Sequence, residues 1–286
     1  MSAQAPSTPP TAPSAGPRRA APGSVLQRME KGAIRHVVAV GSGKGGVGKS
    51  SVTTLLAGEL LRRGNSVGIL DADVGGSSVP KLVGAKGPLL DKGEGIEPAV
   101  TPEGLRLVAS QFLVEQEETP VVWRGPLVTR LILQFFGGVN WGPLDYLLVD
   151  MAPGTSDVPL TIFQTLPLDG MLFIVSPQEL ATLIVKKAMN MARDLHVPLL
   201  GLVENLAYLT CPHCGERIEP FGPGRGRALA DEYGIPMVAQ LPIDPGVSSR
   251  GDLGSLLGYS SPAITQLGDG FLAALRDAKK RELTVL

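Results

Sequence analysis

A glycine-rich segment near the start of the chain has the residue types that bind a polyphosphate. The segment Gly43–Ser50 reads GKGGVGKS and fits the pattern G-x-x-x-x-G-K-S/T. Glycines at these positions let backbone N–H groups turn inward around phosphate oxygens, and a following helix adds the positive end of its dipole. We expect Lys49 to reach the β and γ phosphates of a nucleotide and the Ser50 hydroxyl to bind Mg²⁺. A glycine-rich turn without a ligand is the alternative interpretation.

A second lysine, Lys44, directly follows the first glycine of this loop. Its position is too early for it to follow a phosphate bound by its own chain, but it suits a phosphate held across a dimer interface, as an arginine finger does in trans. The alternative is an exposed lysine with no special role. The predicted nucleotide contacts of the loop are Gly43, Gly45, Gly46, Val47, Gly48, Lys49, Ser50 and Ser51.

Three aspartates follow two of the predicted strands. Asp71 and Asp73 come after Val67–Leu70, and Asp150 ends the apolar run Tyr146–Val149. Ligands of such sheets bind outside the carboxyl ends of the strands, so all three carboxylates should face the phosphate loop. We expect Asp71 and Asp150 on the Mg²⁺ side and Asp73 near the attacking water. A single aspartate in such a place is more often a helix cap, and the set of three favours the functional interpretation.

The two cysteines of the chain lie in one short turn, Cys211-Pro212-His213-Cys214-Gly215. A C-x-x-C turn brings two sulfur atoms to one centre, whereas a thiolate zinc site or a [4Fe–4S] cluster usually needs four. A twofold-symmetric dimer supplies the missing pair. From the spacing alone, a bridging iron–sulfur cluster, a bridging structural zinc and a redox dithiol all remain open, with metal binding favoured. His213 sits inside the turn, where sharing the same metal is strained.

Alternating apolar strands and amphipathic helices are predicted to position these residues. This alternation is typical of an α/β fold with a doubly wound, mostly parallel sheet. The predicted strands are Ile34–Val40, Val67–Leu70, Leu105–Ala109, Tyr146–Val149, Gly170–Val175, Leu199–Val203 and Met237–Gln240. The predicted helices are Ser50–Arg63, Pro126–Gly137, Val158–Leu166, Glu179–Leu195, Gly226–Tyr233 and Ala263–Arg281. Residues 1–24 form an Ala/Pro-rich tail that we expect to be disordered, followed by one ATPase-type domain over residues 25–286.

Composition excludes several classes of protein. The net charge is −1 and aromatic residues make up 5% of the chain, which argues against a general nucleic-acid-binding surface. Two cysteines in 286 residues exclude a disulfide-rich secreted scaffold. No apolar run approaches the roughly 20 residues that span a bilayer. The first residues lack the apolar core of a signal peptide, so a cytoplasmic location is expected.

Several stretches resemble a known family of P-loop proteins. The loop at Gly43–Ser50, with its early lysine, resembles the MinD/ParA/Mrp group of ATPases. Further stretches resemble the Mrp (ApbC, Nbp-type) iron–sulfur cluster carriers in particular, and the resemblance runs from Ile34 to the C-terminus. These stretches are DADVGGSSVP at Asp71–Pro80, WRGP at Trp123–Pro126, WGPLDYLLVDMAPGTSD at Trp141–Asp157, VENLAYLTCPHCG at Val203–Gly215 and LPIDP at Leu241–Pro245.

The resemblance implies an ATPase that dimerises with nucleotide near the interface. Proteins of this kind hold a labile [4Fe–4S] cluster and pass it to apo-proteins, with scaffold proteins as further partners. By match, Lys44 acts across the dimer, Asp73 supports hydrolysis and Asp150 binds the water shell of the metal. Asn205 resembles the adenine-reading asparagine of the family. Cys211 and Cys214 resemble its cluster ligands, which bridge two chains.

The sequence departs from the family pattern at two places, and two other functions are possible. Ala152 replaces the first proline of the usual D-x-P-P-G-T stretch, and Gly75–Ser78 replaces a more usual G-P-S. The alternative is a partitioning ATPase that works on a membrane or a nucleoid, for which the last helix would be amphipathic and free. We expect that helix to be docked on the domain instead. A zinc-bridged interaction module, in which ATP only sets shape, is the third possibility.

Overall fold

Buried parallel strands form the centre of the fold. The computed structural model describes residues 29–87, 89–91, 95–113, 125–178 and 183–285. The strands are β1 (Ile34–Ser42), β2 (Val67–Asp71), β3 (Leu90–Asp91), β4 (Ile96–Glu97), β5 (Ala99–Val100), β6 (Arg106–Ala109), β7 (Leu144–Asp150), β8 (Gly170–Val175), β9 (Leu199–Thr210), β10 (Arg217–Ile218) and β11 (Met237–Pro242). The predicted tail, residues 1–24, lies outside the described residues.

Helices cover both faces of the sheet. They are α1 (Lys49–Arg62), α2 (Val79–Val83), α3 (Gly125–Gly137), α4 (Asp157–Thr165), α5 (Leu183–Asp194), α6 (Gly226–Tyr233), α7 (Pro245–Asp252) and α8 (Pro262–Val285). The predicted helix Glu179–Leu195 corresponds to α5, and its first four predicted residues lie outside the described ones. The sequence did not predict α2 or α7, which are only 5 and 8 residues long.

The main sheet follows the order β10-β9-β8-β1-β7-β2-β6-β5, and β11 also pairs with β9. The pairs at its centre, such as β1 with β7 and β8, are parallel. At the two ends β5 and β10 pair antiparallel with β6 and β9. This arrangement confirms the predicted doubly wound, mostly parallel sheet of the MinD/ParA type. Because crossovers place helices on both faces, the central strands are apolar throughout rather than alternating.

Two apolar layers pack against the two faces of this sheet. One contains Phe135 of α3 and Phe163 of α4, and the other contains Leu56 of α1 and Phe271 of α8. The predicted apolar stripe of the last helix is part of the second layer, since Leu267, Phe271 and Leu275 are 0%, 0% and 4% exposed. The helix is therefore docked on the domain as expected. Within the described ranges, no helix has the length and apolar character to cross a membrane.

One strand is much longer than the sequence indicated. We predicted Leu199–Val203, but β9 continues through Glu204 and Asn205 to Thr210. Polar residues end the apolar run at Val203, and a run of this kind predicts a strand end there. The extension pairs with β10 at Thr210↔Arg217 and Leu209↔Ile218, so it forms a small hairpin at the edge of the sheet. The two cysteines lie in the turn of this hairpin.

Candidate nucleotide-binding site and cysteine turn

The phosphate loop lies between the end of β1 and the start of α1. Gly46 and Gly48 have φ angles of 85° and 79°, in the left-handed region that favours glycine. Gly43 packs on α5, where an added Cβ would lie 2.6 Å from Cγ2 of Val185. A Cβ on Gly48 would collide with the side-chain amide of Asn205. The glycines are thus required by backbone conformation and by close packing, and the exposed tip of the loop, including Lys44, is left accessible.

Asp150 is the centre of a buried polar cluster at the base of the loop. Its Oδ2 accepts hydrogen bonds from Lys49 Nζ at 2.7 Å and from Ser50 Oγ at 2.6 Å. Its Oδ1 accepts one from Thr53 Oγ1 at 2.8 Å. Asp150 is 0% exposed and Lys49 is 7% exposed. The sequence-predicted Lys49, Ser50 and Asp150 are therefore brought together, while Thr53, one helical turn after Lys49, was missed because no motif marks it.

Asp71 lies beside Asp150, its partner in the register of β2 with β7. Its Oδ2 accepts hydrogen bonds from Ser77 Oγ at 2.8 Å and from the Val79 N–H at 3.2 Å. Its Oδ1 accepts one from the Asp73 N–H at 3.1 Å. Burial, together with the neighbouring Asp150 carboxylate, raises the pKa of Asp71 to about 7 against the opposing effects of Lys49 and of the hydrogen bonds from Ser77 and Val79. The site therefore places two carboxyl groups close together in a medium that disfavours their charge.

Asp73 is half-buried at the edge of the same cluster. Burial raises its pKa, Lys49 lowers it, and Asp150 raises it again. Its N–H donates a hydrogen bond to Asp71 Oδ1, so Asp73 lies at the same end of the sheet as Asp71 and Asp150. Its predicted role toward an attacking water stays a prediction. Ser50, Asp71 and Asp150 offer hydroxyl and carboxylate oxygens, the donor set that suits Mg²⁺ held jointly with phosphates and waters.

A cavity of about 450 Å³ opens beside the phosphate loop. Its wall includes Ser51 of α1, Asn205 of β9 and the segment Leu241–Pro245. The Asn205 Nδ2 donates a hydrogen bond of 2.9 Å to the Val47 carbonyl, which ties β9 to the loop. A partly apolar cavity with an amide at its edge fits a planar heteroaromatic ring. The assignment of Asn205 to adenine stays a prediction, and its contact with the loop is a second role that the sequence did not indicate.

The cysteine turn is a tight, backbone-bonded loop. The Cys211 N–H donates to the Glu216 carbonyl at 2.8 Å, and the Gly215 N–H donates to the Cys211 carbonyl at 2.9 Å. Gly215 has a φ of 75°, so glycine suits the turn. Both thiols are free, with Cys211 half-buried and Cys214 exposed. Hydrogen bonds from the backbone of Cys214 and of His213 lower the pKa of Cys211, which favours the thiolate that binds metals.

The thiols and the phosphate loop belong to separate sites that share one strand. Asn205 contacts the loop from β9, and Cys211 follows the end of the same strand. An extended segment of this length spans about 20 Å. Among the residues that the structure describes, no group of three or more His, Cys, Asp or Glu side chains is placed to hold a metal ion. One chain thus presents two free thiols, Cys211 half-buried and Cys214 exposed, and within the described residues they are not part of a larger group placed to hold a metal.

A sequence model described as the NUBPL iron-transfer P-loop NTPase of the ParA group matches residues 33–269. The chain belongs to this family. It is 43% identical over 229 residues to the iron-sulfur cluster carrier protein of Saccharolobus solfataricus, covering 79% of this chain and 77% of that protein. It is 46% identical over 222 residues to a cytosolic Fe-S cluster assembly factor of Eremothecium gossypii, covering 74% and 79%.

Solved structures of the family and of its fold agree with this assignment. The chain resembles a nucleotide-binding protein of Archaeoglobus fulgidus, solved in complex with ADP, with a TM-score of 0.73 and 42% identity over 82% of this chain and 91% of that one. The cell division ATPase MinD of Pyrococcus furiosus aligns with a TM-score of 0.57 at 17% identity over 86% and 99%. The second likeness concerns the fold alone.

Proposed function

We propose that this protein binds and hydrolyses ATP, holds a [4Fe–4S] cluster between two copies of the chain, and transfers the cluster to apo-proteins. One observation carries the proposal: β9 bears both a wall of the nucleotide cavity, at Asn205, and the paired thiols, directly after Thr210. Occupancy of one site therefore acts on the strand that supports the other. The names of the relatives, iron-sulfur cluster carriers from several organisms, support the same class of cargo.

The nucleotide half of the proposal assigns roles to residues of the buried cluster. Lys49 and Ser50 both donate hydrogen bonds to Asp150 in the structure. Lys49 would contact the β and γ phosphates of a bound triphosphate, and Ser50, Asp71 and Asp150 would hold Mg²⁺, which would neutralise phosphate charge. These are hard oxygen donors, so their chemistry fits Mg²⁺.

Hydrolysis is assigned to Asp73 and to Lys44. Asp73 is half-buried beside Lys49 and Asp150, where a carboxylate can orient a water for attack on the terminal phosphate. Lys44 is exposed at the tip of the loop, and we assign it to the phosphates bound by the partner chain. A cation supplied in trans stabilises charge in the transition state and links hydrolysis to dimer formation.

The cluster half of the proposal rests on the number of thiols. A [4Fe–4S] cluster takes four cysteine ligands, and each chain offers Cys211 and Cys214. Cys211 is half-buried and Cys214 is exposed, both in a hairpin at the edge of the sheet, where a second copy has access to them. A site completed by two chains loses half of its ligands when the copies separate, which provides a route for release to a client. A cytoplasmic location, and the absence of nucleic acid or membrane among its partners, are parts of this proposal.

Anaerobic reconstitution with iron and sulfide tests the cluster assignment. We expect absorption near that of a [4Fe–4S] centre and about four iron atoms per two chains. Cys211→Ser and Cys214→Ser should each abolish loading, while His213→Ala, in the same turn, should leave it intact. Metal analysis of the purified protein separates the alternatives: stoichiometric zinc without iron would favour the zinc-bridged module. Full loading of the Cys211→Ser protein would refute the proposed site.

A further inference from the structure

Arg217, on the strand that leaves the cysteine turn, fastens the hairpin to the sheet. Its guanidinium carbon lies 4.0 Å from the centre of the Tyr208 ring on β9. Its Nη2 donates a hydrogen bond of 3.1 Å to Gln240 Oε1 on β11 and lies 3.3 Å from Glu219 Oε1. One side chain of β10 therefore contacts both β9 and β11. None of the predicted site residues takes part in these contacts.

Gln240 is in turn hydrogen-bonded to a buried residue, Glu204. Gln240 Nε2 donates a hydrogen bond of 2.6 Å to Glu204 Oε2, and the Gly226 N–H donates one of 3.3 Å to Glu204 Oε1. Glu204 is 0% exposed, so its carboxylate depends on these donors. The next residue of β9 is Asn205, whose amide is bonded to the phosphate loop. The hairpin is thus joined by side-chain hydrogen bonds to the segment of β9 that contacts the loop.

A second connection runs through the backbone. The Ile243 N–H donates a hydrogen bond of 2.6 Å to the carbonyl of Tyr208, the residue whose ring carries the Arg217 guanidinium. Ile243 and the adjacent Pro242 line the nucleotide cavity. A nucleotide base that displaces this wall also displaces the support of Tyr208. Arg217 contacts one residue of each connection, Tyr208 on β9 and Gln240 on β11.

We propose that Arg217 is a positioning residue that sets the orientation of the cysteine turn according to the occupancy of the nucleotide cavity. The inference deepens the proposed function and rests on it for the identity of the cargo. The connection between the nucleotide cavity and the cysteine turn does not depend on the proposed function, because it consists of contacts within one chain. Nucleotide binding and thiol presentation would then be coupled, and the coupling would be removed by changing a residue that touches neither ligand.

Arginine suits this position for a specific reason. Its planar guanidinium stacks on an aromatic face while its N–H groups stay in the plane, free to bond Gln240 and Glu219. Lysine keeps the positive charge over Tyr208 but offers a point donor in place of the planar fork. Glutamine removes the charge and most of the stacking. The contacts of residue 217 with Tyr208 and Gln240 should therefore weaken in the order Arg, Lys, Gln.

Thiol alkylation in the cluster-free protein tests the inference independently of the cargo. Rates of iodoacetamide reaction at Cys211 and Cys214 are measured by mass spectrometry without nucleotide and with saturating ATP or a non-hydrolysable analogue plus Mg²⁺. In the unmodified protein we expect the nucleotide to change the rate at one or both thiols. In Arg217→Gln we expect both rates to rise about threefold to tenfold and the response to nucleotide to disappear.

Matched variants separate a coupling role from a general loss of structure. Arg217→Lys, which keeps the charge over Tyr208, should recover part of the response. Arg227→Gln is the control, since Arg227 is an exposed arginine on the nearby helix α6. A full response to nucleotide in Arg217→Gln, or none in the unmodified protein, would overturn the inference. Failure of cluster loading with a normal response in the unmodified chain would instead refute the proposed cargo alone.

Discussion

At the scale of single residues, Asp71 is held where its charge is unfavourable. It is 0% exposed and lies beside Asp150, and burial raises its pKa to about 7, against roughly 3.9 in an unfolded chain. Between these two values the folded protein keeps a proton that the unfolded chain releases. Stability of the nucleotide-free protein should therefore fall as the pH rises from about 4 to about 7, and then level off.

The Asp71→Asn variant tests whether stability falls as the pH rises. Relative to the unmodified protein, the variant should gain on the order of 2 kcal/mol of stability between about pH 5 and about pH 7, because asparagine cannot ionise. Thermal unfolding of both proteins, free of nucleotide, over about pH 5 to pH 8 gives the difference. Asp145→Asn is the control: hydrogen bonds from Ser66 lower the pKa of Asp145, so its effect should be constant over this range. If the difference in stability between Asp71→Asn and the unmodified protein is the same at every pH, the expectation is wrong.

Much of the candidate nucleotide site was predictable from residue types because its parts carry strong local signals. The phosphate loop specifies its own backbone, and aspartates after parallel strands must meet at one edge of the sheet. Thr53 carries no such signal, since a threonine within a helix usually has no partner beyond the preceding turn. Glu204 and Arg217 were also missed. Their importance comes from contacts between segments that are distant in the sequence, and no local pattern encodes those.

At the scale of elements, the apolar runs identified the central strands and the long helices, and the errors have a common cause. The predicted end of β9 at Val203 was wrong because polar residues there are buried with partners rather than exposed. Strand β10 is only 2 residues long and depends on its pairing with β9. Short elements of this kind are fixed by tertiary contacts and not by their own periodicity.

Helix α8 allows a test of the second apolar layer. Phe271 is 0% exposed and its ring meets Tyr146 edge-on, with 5.9 Å between ring centres. Phe271→Ala should lower the free energy of unfolding by about 3–5 kcal/mol, because it removes buried area and leaves a cavity. Gln266→Ala, at an exposed position of the same helix, should change it by less than about 0.5 kcal/mol. Denaturant titration measures both, and a small effect of Phe271→Ala would mean that α8 is not docked as described.

At the scale of the whole molecule, the proposed nucleotide site and the proposed cluster site both require a second copy of the chain. Under the proposal, the paired thiols take two more ligands from a second chain, and Lys44 contacts a phosphate bound by that chain. A dimer that satisfies both would bring the phosphate loops and the cysteine turns of two chains toward one axis. The doubly wound sheet permits this, because the loop and the long extension of β9 both lie beyond the carboxyl ends of parallel strands.

Mixing two inactive variants decides whether Lys44 acts across the dimer. Lys44→Ala keeps Lys49 and should bind ATP without hydrolysing it, whereas Lys49→Ala should fail to bind it but still present Lys44. In an equal mixture half of the dimers are mixed, and each has one complete site, so the ATPase rate should reach about a quarter of that of the unmodified protein. Pull-down with two different tags verifies that mixed dimers have formed. If they have, and the rate stays at the sum of the two variants alone, Lys44 acts on the nucleotide of its own chain, and hydrolysis does not need the partner's lysine.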